Sequence, residues 1–262
     1  MKCSNILDNL LKIMPKELAM SWDNVGLLAG SKDKEVKNIV VCLDVSEKLI
    51  EKAVSLKADL IISHHPMIFS PVKSVTDDTS VGRRLLSLIK NDISYIALHT
   101  NYDIAPGCMS DLVAERIGLK GEPLEKTSSM EDTVVGIGKV GDLASAVKIS
   151  EIAELVKEKF NLPHLRIFDG GEDKKVSRIA VSPGSGKGMF NAAYEKQAAL
   201  LISGDISHHD ALDALELGVA TIDTGHYGLE HIFIADMAKR LRDMDKEFTI
   251  FEEDITFPDR IA

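Results

Sequence analysis

"IVVCLDVSEKLIEKAVSLKADLIIS" (residues 39–63) opens with an apolar, β-branched run, passes through an amphipathic stretch that Ser46 can cap, and ends in a second apolar run. Short apolar runs of this kind read as strands buried on both faces, and the stretch between them has helical spacing, so the segment is a βαβ unit. Displaced by 140 positions it meets "IAVSPGSGKGMFNAAYEKQAALLIS" (179–203) without a gap, with Ile39 over Ile179, Val41 over Val181, Ala58 over Ala198, Leu60 over Leu200 and Ser63 over Ser203. Common architecture alone would share some of that pattern, but agreement at both ends favours internal duplication. The fold class expected is α/β, with two related lobes built on mostly parallel sheets.

Outward from this unit, Ser4 is placed to cap a first helix (Ile6, Leu7, Leu10, Leu11, Met14) that Pro15 stops, and a loop, "SWDNVGLLAG", follows. A helix over 81–90, a strand "SYIALHT" and a short helix "SDLVAERIG" complete the first lobe, residues 1–124. The second lobe, 125–262, is expected to carry a small strand-helix-strand insertion at about 130–172, with loops at 120–130 and 170–175. A helix over 229–244 should pack back on the first lobe, and "EFTIFEE" should form a last strand.

The chain has 262 residues, 45% hydrophobic and 27% charged, which excludes disordered and fibrous classes. A net charge of -10 disfavours a broad nucleic-acid footprint. No apolar run reaches membrane-spanning length, and the charged amino-terminal stretch is unlike a secretory leader, so no membrane association and a cytoplasmic location are expected. Cys3, Cys42 and Cys108, an odd number without paired spacing, read as reduced packing residues.

Pro66 cannot join a strand ladder, so "LIIS" ends before "HHP" and leaves His64 and His65 at a carboxyl-terminal sheet rim, where α/β folds bind ligands. "HTNYD" adds His99 and Asp103 at a second strand end, and "GHYGLE" adds His226 and Glu230, four apart on the first turn of a helix and so on one face. Each residue has a plain structural explanation taken singly: a core histidine, a turn former, a helix-start carboxylate. Together, three to five imidazoles and two carboxylates exceed the needs of one ion and suit two divalent ions sharing a bridging carboxylate. Nitrogen and oxygen donors favour Zn, Fe, Mn, Co or Ni over calcium. "PGSGKGMF" (183–190) fails the Walker pattern, so Gly184, Gly186 and Lys187 make either a looser anion site or a tight packing turn. Trp22 either stacks on a base or plugs the core. His208 and His209 begin a helix and read as solvent-facing or cleft-edge residues, which leaves Asp205 as the better pocket candidate.

"SWDNVGL", "ISHHP", "HTNYD", "PGSG", "SGDIS" and "DTGHYGLE" together resemble the GTP cyclohydrolase 1 type 2 homologue family, the Nif-three-like dinuclear-metal hexameric proteins, over nearly the whole chain. The resemblance implies a dinuclear metal site in a cleft between the lobes, held by His64, His65, Asp103, His226 and Glu230, with Glu230 bridging. His99 is implied as an extra ligand or an outer partner able to shuttle protons, and with Glu230 makes the catalytic pair. Trp22, Asn24, Gly184, Gly186, Lys187 and Asp205 are implied on the side of a nucleotide substrate. The implied activity is hydrolytic opening of the guanine imidazole ring of GTP with formate release, in a toroidal homohexamer. The alternatives are a two-metal phosphoesterase or other nucleotide hydrolase, and a non-catalytic metal-binding regulator or chaperone.

Overall fold

The computed structural model describes residues 1–130 and 132–259. They form two compact units, one of Met1–Tyr102 with Phe233–Ile255, the other of Asp103–Ile232 with the chain from Thr256 on. In chain order the elements are α1 (Cys3–Ile13), β1 (Gly26–Ala29), β2 (Asn38–Cys42), α2 (Glu47–Ser55), β3 (Leu60–Ser63), α3 (Ser80–Lys90), β4 (Ser94–Ala97) and α4 (Thr100–Ile104). There follow α5 (Met109–Arg116), β5 (Gly121–Met130), β6 (Thr133–Lys148), α6 (Ile149–Lys159), β7 (Arg166–Phe168), β8 (Lys175–Ser185), α7 (Met189–Glu195), β9 (Leu200–Gly204) and α8 (His208–Glu216). The chain ends through β10 (Ala220–Asp223), α9 (His226–Glu230), α10 (Ile232–Met244) and β11 (Thr249–Glu252).

The first unit holds a sheet of order β1-β4-β3-β2-β11, parallel throughout except for β1. Its central strands are buried on both faces because every side chain of β3 and β4 is apolar, a serine or a tyrosine, and Tyr95 spends its hydroxyl on Ser63 Oγ at 2.8 Å and the Met67 amide at 2.8 Å. Ser46 caps α2 as its position suggests, accepting from the Leu49 amide at 3.0 Å. Ser4 does not cap α1. The helix starts two residues earlier, after Lys2, and its first amides are satisfied by Lys34 O and Lys32 O, both at 2.9 Å.

The second unit holds a sheet of order β5-β6-β8-β9-β10-β7, with β8, β9 and β10 parallel and antiparallel strands on both flanks. The offset of 140 is kept in the strand register: Ile39 pairs with Leu60 and Val41 with Ile62, while Ile179 pairs with Leu200 and Val181 with Ile202. Beyond that core the halves diverge. Residues 120–130, expected as a loop, are the edge strand β5, and the stretch 130–172 is no separate insertion, since β6 lies between β5 and β8 and β7 pairs with β10. The expected boundary at 124 also moves: the chain crosses within α4, at Tyr102–Asp103, and α5 packs on β6 and β8.

Each unit has its own apolar core, around Val40, Ile61 and Tyr95 in the first and around Phe190, Ala180 and Leu201 in the second. Cys3, Cys42 and Cys108 are fully buried. Among the described residues no helix is long and apolar enough to cross a membrane.

Candidate metal centre

In the first unit the carboxyl ends of β3 and β4 bring three imidazoles together. His64, His65 and His99 each offer a ring nitrogen, and these atoms lie within 4.8 Å of one another. The other nitrogen of each ring is already engaged. His64 Nδ1 is 2.9 Å from Leu98 O, His65 Nδ1 is 2.9 Å from Asp44 Oδ1, and His99 Nδ1 is 2.9 Å from Asp23 Oδ1. A carbonyl or carboxylate oxygen only accepts, so each Nδ1 carries a hydrogen, and in the neutral ring Nε2 then has the lone pair. That is the arrangement by which histidine ligands are oriented towards a metal.

Asp23 is the most constrained of these partners. Its side chain is fully buried, and burial alone would raise its pKa. Hydrogen bonds from the His99 ring and from the Thr100 hydroxyl and amide outweigh that and hold it down at about 2. The loop around it is equally fixed: Met20 N donates to Thr100 Oγ1 at 2.9 Å, and Asn24 Nδ2 donates to Ile68 O at 2.6 Å. Asn24 thus ties two loops together. Trp22, in the same loop, does not plug the core; it is 53% exposed.

In the second unit, α9 starts two residues after β10 and places His226 and Glu230 on one face, Nε2 to Oε2 at 3.3 Å. His226 Nδ1 meets Asp205 Oδ2 at 2.8 Å, so the Nε2 facing Glu230 is again the nitrogen with the lone pair. At 3.3 Å the two groups form an ion pair when the ring is protonated, and present two ligand atoms to one divalent ion when it is neutral. A carboxylate oxygen of Asp103 lies within 4.8 Å of one from Glu230, whose side chain is 3% exposed, so negative charge is concentrated where water is scarce. The donors of both units therefore fit divalent metal binding, with the ligand types of Zn, Fe, Mn, Co or Ni.

The glycines of "PGSG" serve this arrangement. Gly184, at φ +73°, lies under Glu230, and any Cβ there would collide with Glu230 Oε1. The Gly186 amide donates to Gly204 O at 2.7 Å, and a Cβ on Gly186 would meet Ser203 Oγ at 2.7 Å. The turn is a packing turn, then, and leaves exposed Lys187 as the one side chain of the expected phosphate cradle that faces solvent. Asp205 is likewise committed, to His226. Asp23 and Asp44 were not singled out from the sequence; the only signal was their position at or beside strand ends that lead to the histidines.

A chain of two duplicated α/β units, with histidines anchored through Nδ1 and a buried carboxylate at the strand ends, defines a class of metal-binding α/β proteins. Within that class it belongs to the Duf34/NIF3 (NGG1p interacting factor 3) family, whose profile matches residues 1–257. Among curated relatives, the GTP cyclohydrolase 1 type 2 homolog of Clostridium perfringens is 35% identical over 97% of this chain and 97% of its own, and that of Lactococcus lactis is 35% identical over 96% of each. Among solved structures, a Bacillus cereus protein related to NIF3 superposes with a TM-score of 0.92 at 25% identity, covering 100% of this chain and 99% of that one. Reduced HcgD from Methanocaldococcus jannaschii gives 0.83 at 29%, covering 97% and 98%.

Proposed function

We propose that this chain is a dinuclear-metal hydrolase acting on a purine nucleotide, with opening of the guanine imidazole ring of GTP as the reaction. The observation that carries the reading is the set of four histidines, His64, His65, His99 and His226, each anchored through Nδ1 with Nε2 presented. The names of the curated relatives point to GTP cyclohydrolase chemistry. His64 and His65 of the first unit, and Asp103, His226 and Glu230 of the second, would hold two divalent ions. When bound, such ions lower the pKa of water and polarise the atom under attack.

The chain's own residues supply the rest. One water adds at C8 of guanine and opens the imidazole ring, a second cleaves the remaining C8–N bond so that C8 leaves as formate, and rearrangement with loss of one water closes the ring of a dihydropterin triphosphate. His99, coupled to an Asp23 carboxylate that stays ionised, is the group suited to carry a proton to the departing ring nitrogen. Glu230 draws the donor groups of α9 together and would bridge the ions. Lys187 is the cation available to a phosphate.

The test is formate and pterin-fluorescence production from GTP by protein loaded in turn with Zn, Mn, Fe and Co, beside a Glu230→Gln variant checked for folding. Metal-dependent formate that disappears in the variant supports the reading. Phosphate release without formate would replace it with a two-metal phosphoesterase.

A further inference from the structure

Trp22 is the sole tryptophan and is 53% exposed; Phe69, at the end of the apolar run that follows His65, is 55% exposed. The two rings meet with centroids 5.6 Å apart at 42°, and Trp22 stands edge-on to His99 at 6.0 Å. Rings of this size are normally driven inward. The scaffold instead holds them out. Asp23 N donates to Met20 O at 2.9 Å, Asn24 N to Asp23 Oδ1 at 2.7 Å, and Asn24 Nδ2 to Ile68 O at 2.6 Å, so Asn24, two residues after Trp22, is fixed to the residue before Phe69.

From this geometry we propose that Trp22 and Phe69 form a stacking platform for the planar heteroaromatic ring of a small-molecule ligand, whose edge then faces His99 and its neighbours His64 and His65. The commitment to a small flat ring rests on the extent of the patch, two side chains wide, and on its position beside His99, 5.2 Å from His64 and 5.6 Å from His65 between ring centroids. A ring stacked on the indole puts a carbon or nitrogen of its edge within reach of the imidazole nitrogens, which an aliphatic ligand would have no reason to do. The inference deepens the proposed hydrolase by naming what would hold the base, and it rests on that reading for the role of the histidines.

Because Trp22 is the only indole, its fluorescence reports on the platform directly. Guanosine monophosphate titrated into the metal-loaded chain should quench the emission saturably, ribose 5-phosphate should not, and Phe69→Ala should weaken the apparent Kd about tenfold while circular dichroism and thermal unfolding stay unchanged. Trp22→Phe, followed by calorimetry, should keep most of the affinity and Trp22→Ala should lose it. Equal response to ribose 5-phosphate, or unchanged Kd in Phe69→Ala, overturns the proposal. So does protection of Trp22 from acrylamide in the ligand-free protein, which would mean that a second copy covers the rings. Formate from GTP without Trp22 quenching removes the platform and leaves the hydrolase, whereas saturable quenching by guanosine monophosphate without formate does the reverse.

Discussion

The histidines themselves were legible in the sequence because Pro66 ends one strand, because "HTNYD" and "GHYGLE" end two others, and because a strand end fixes where the next side chains stand. Their carboxylate partners were not. Asp23 is 76 residues from His99, and Asp44 is 21 from His65, so no local spacing advertises either pair. Asp205, which the sequence did single out, plays the same part for His226, and carboxylate–histidine pairs make the sharpest prediction: Asp44→Ala and Asp205→Ala, which free His65 and His226 to rotate, should each weaken Co(II) binding about 10–100-fold in a spectroscopic titration with little change in fold. Unchanged affinity in both would mean that those rings do not ligate. Gly184→Ala should do more damage than either. It forces a side chain into a backbone at φ +73° and into the Glu230 carboxylate, and should cost about 2 kcal/mol or more in chemical denaturation along with metal binding.

Elements with two apolar faces were read well, and β5 was not, for a physical reason. "GEPLEKTSSM" is an edge strand in which only Pro123 and Leu124 are buried, so it has neither an apolar run nor an alternation, and its ladder with β6 is what makes it a strand. Two element-scale predictions concern the end of the chain. Glu253 follows β11, and its carboxylate accepts from the Leu43 amide at 3.3 Å; burial, followed by the charge of Asp44, raises its pKa above 4.5. A carboxylate raised in the folded state contributes stability at low pH that is lost as pH rises through its folded pKa. Glu253→Gln should therefore be more stable than the parent at pH 7, with the difference closing below about pH 4, as read from urea midpoints across pH. The second concerns Phe257, which packs on Tyr227 at 5.4 Å and on His231 at 6.0 Å, both on the segment that carries Glu230. Phe257→Ala should speed amide exchange over residues 227–231 while leaving β2 to β4 protected.

At the scale of the whole molecule, metal and stability should be linked. If the ligands are those proposed, a divalent ion at 100 times its Kd adds about 3 kcal/mol against unfolding, and a chelator lowers the midpoint again. No shift with any of Zn, Mn, Fe or Co would count against the centre. The repeat was readable at this scale, since pairing register preserves an offset of 140, but the path between units was not. Each half ends its sheet in a five-residue helix, α4 or α9, and then leaves for the other unit, so α5 belongs with the second sheet and α10 with the first.

That path has a cost during synthesis. The outer neighbour of β2 is β11, with Asn38 paired to Thr249, so 211 residues separate the two partners. At ordinary elongation rates the ribosome needs about 10–40 s to cover that distance, and for all of it "NIVVC" presents an open apolar edge to whatever else is being translated nearby. The first unit can close only after residues 103–232 of the second have been made. Yield from a cell should consequently depend on holdase chaperones and on translation speed far more than the stability of the finished chain would suggest.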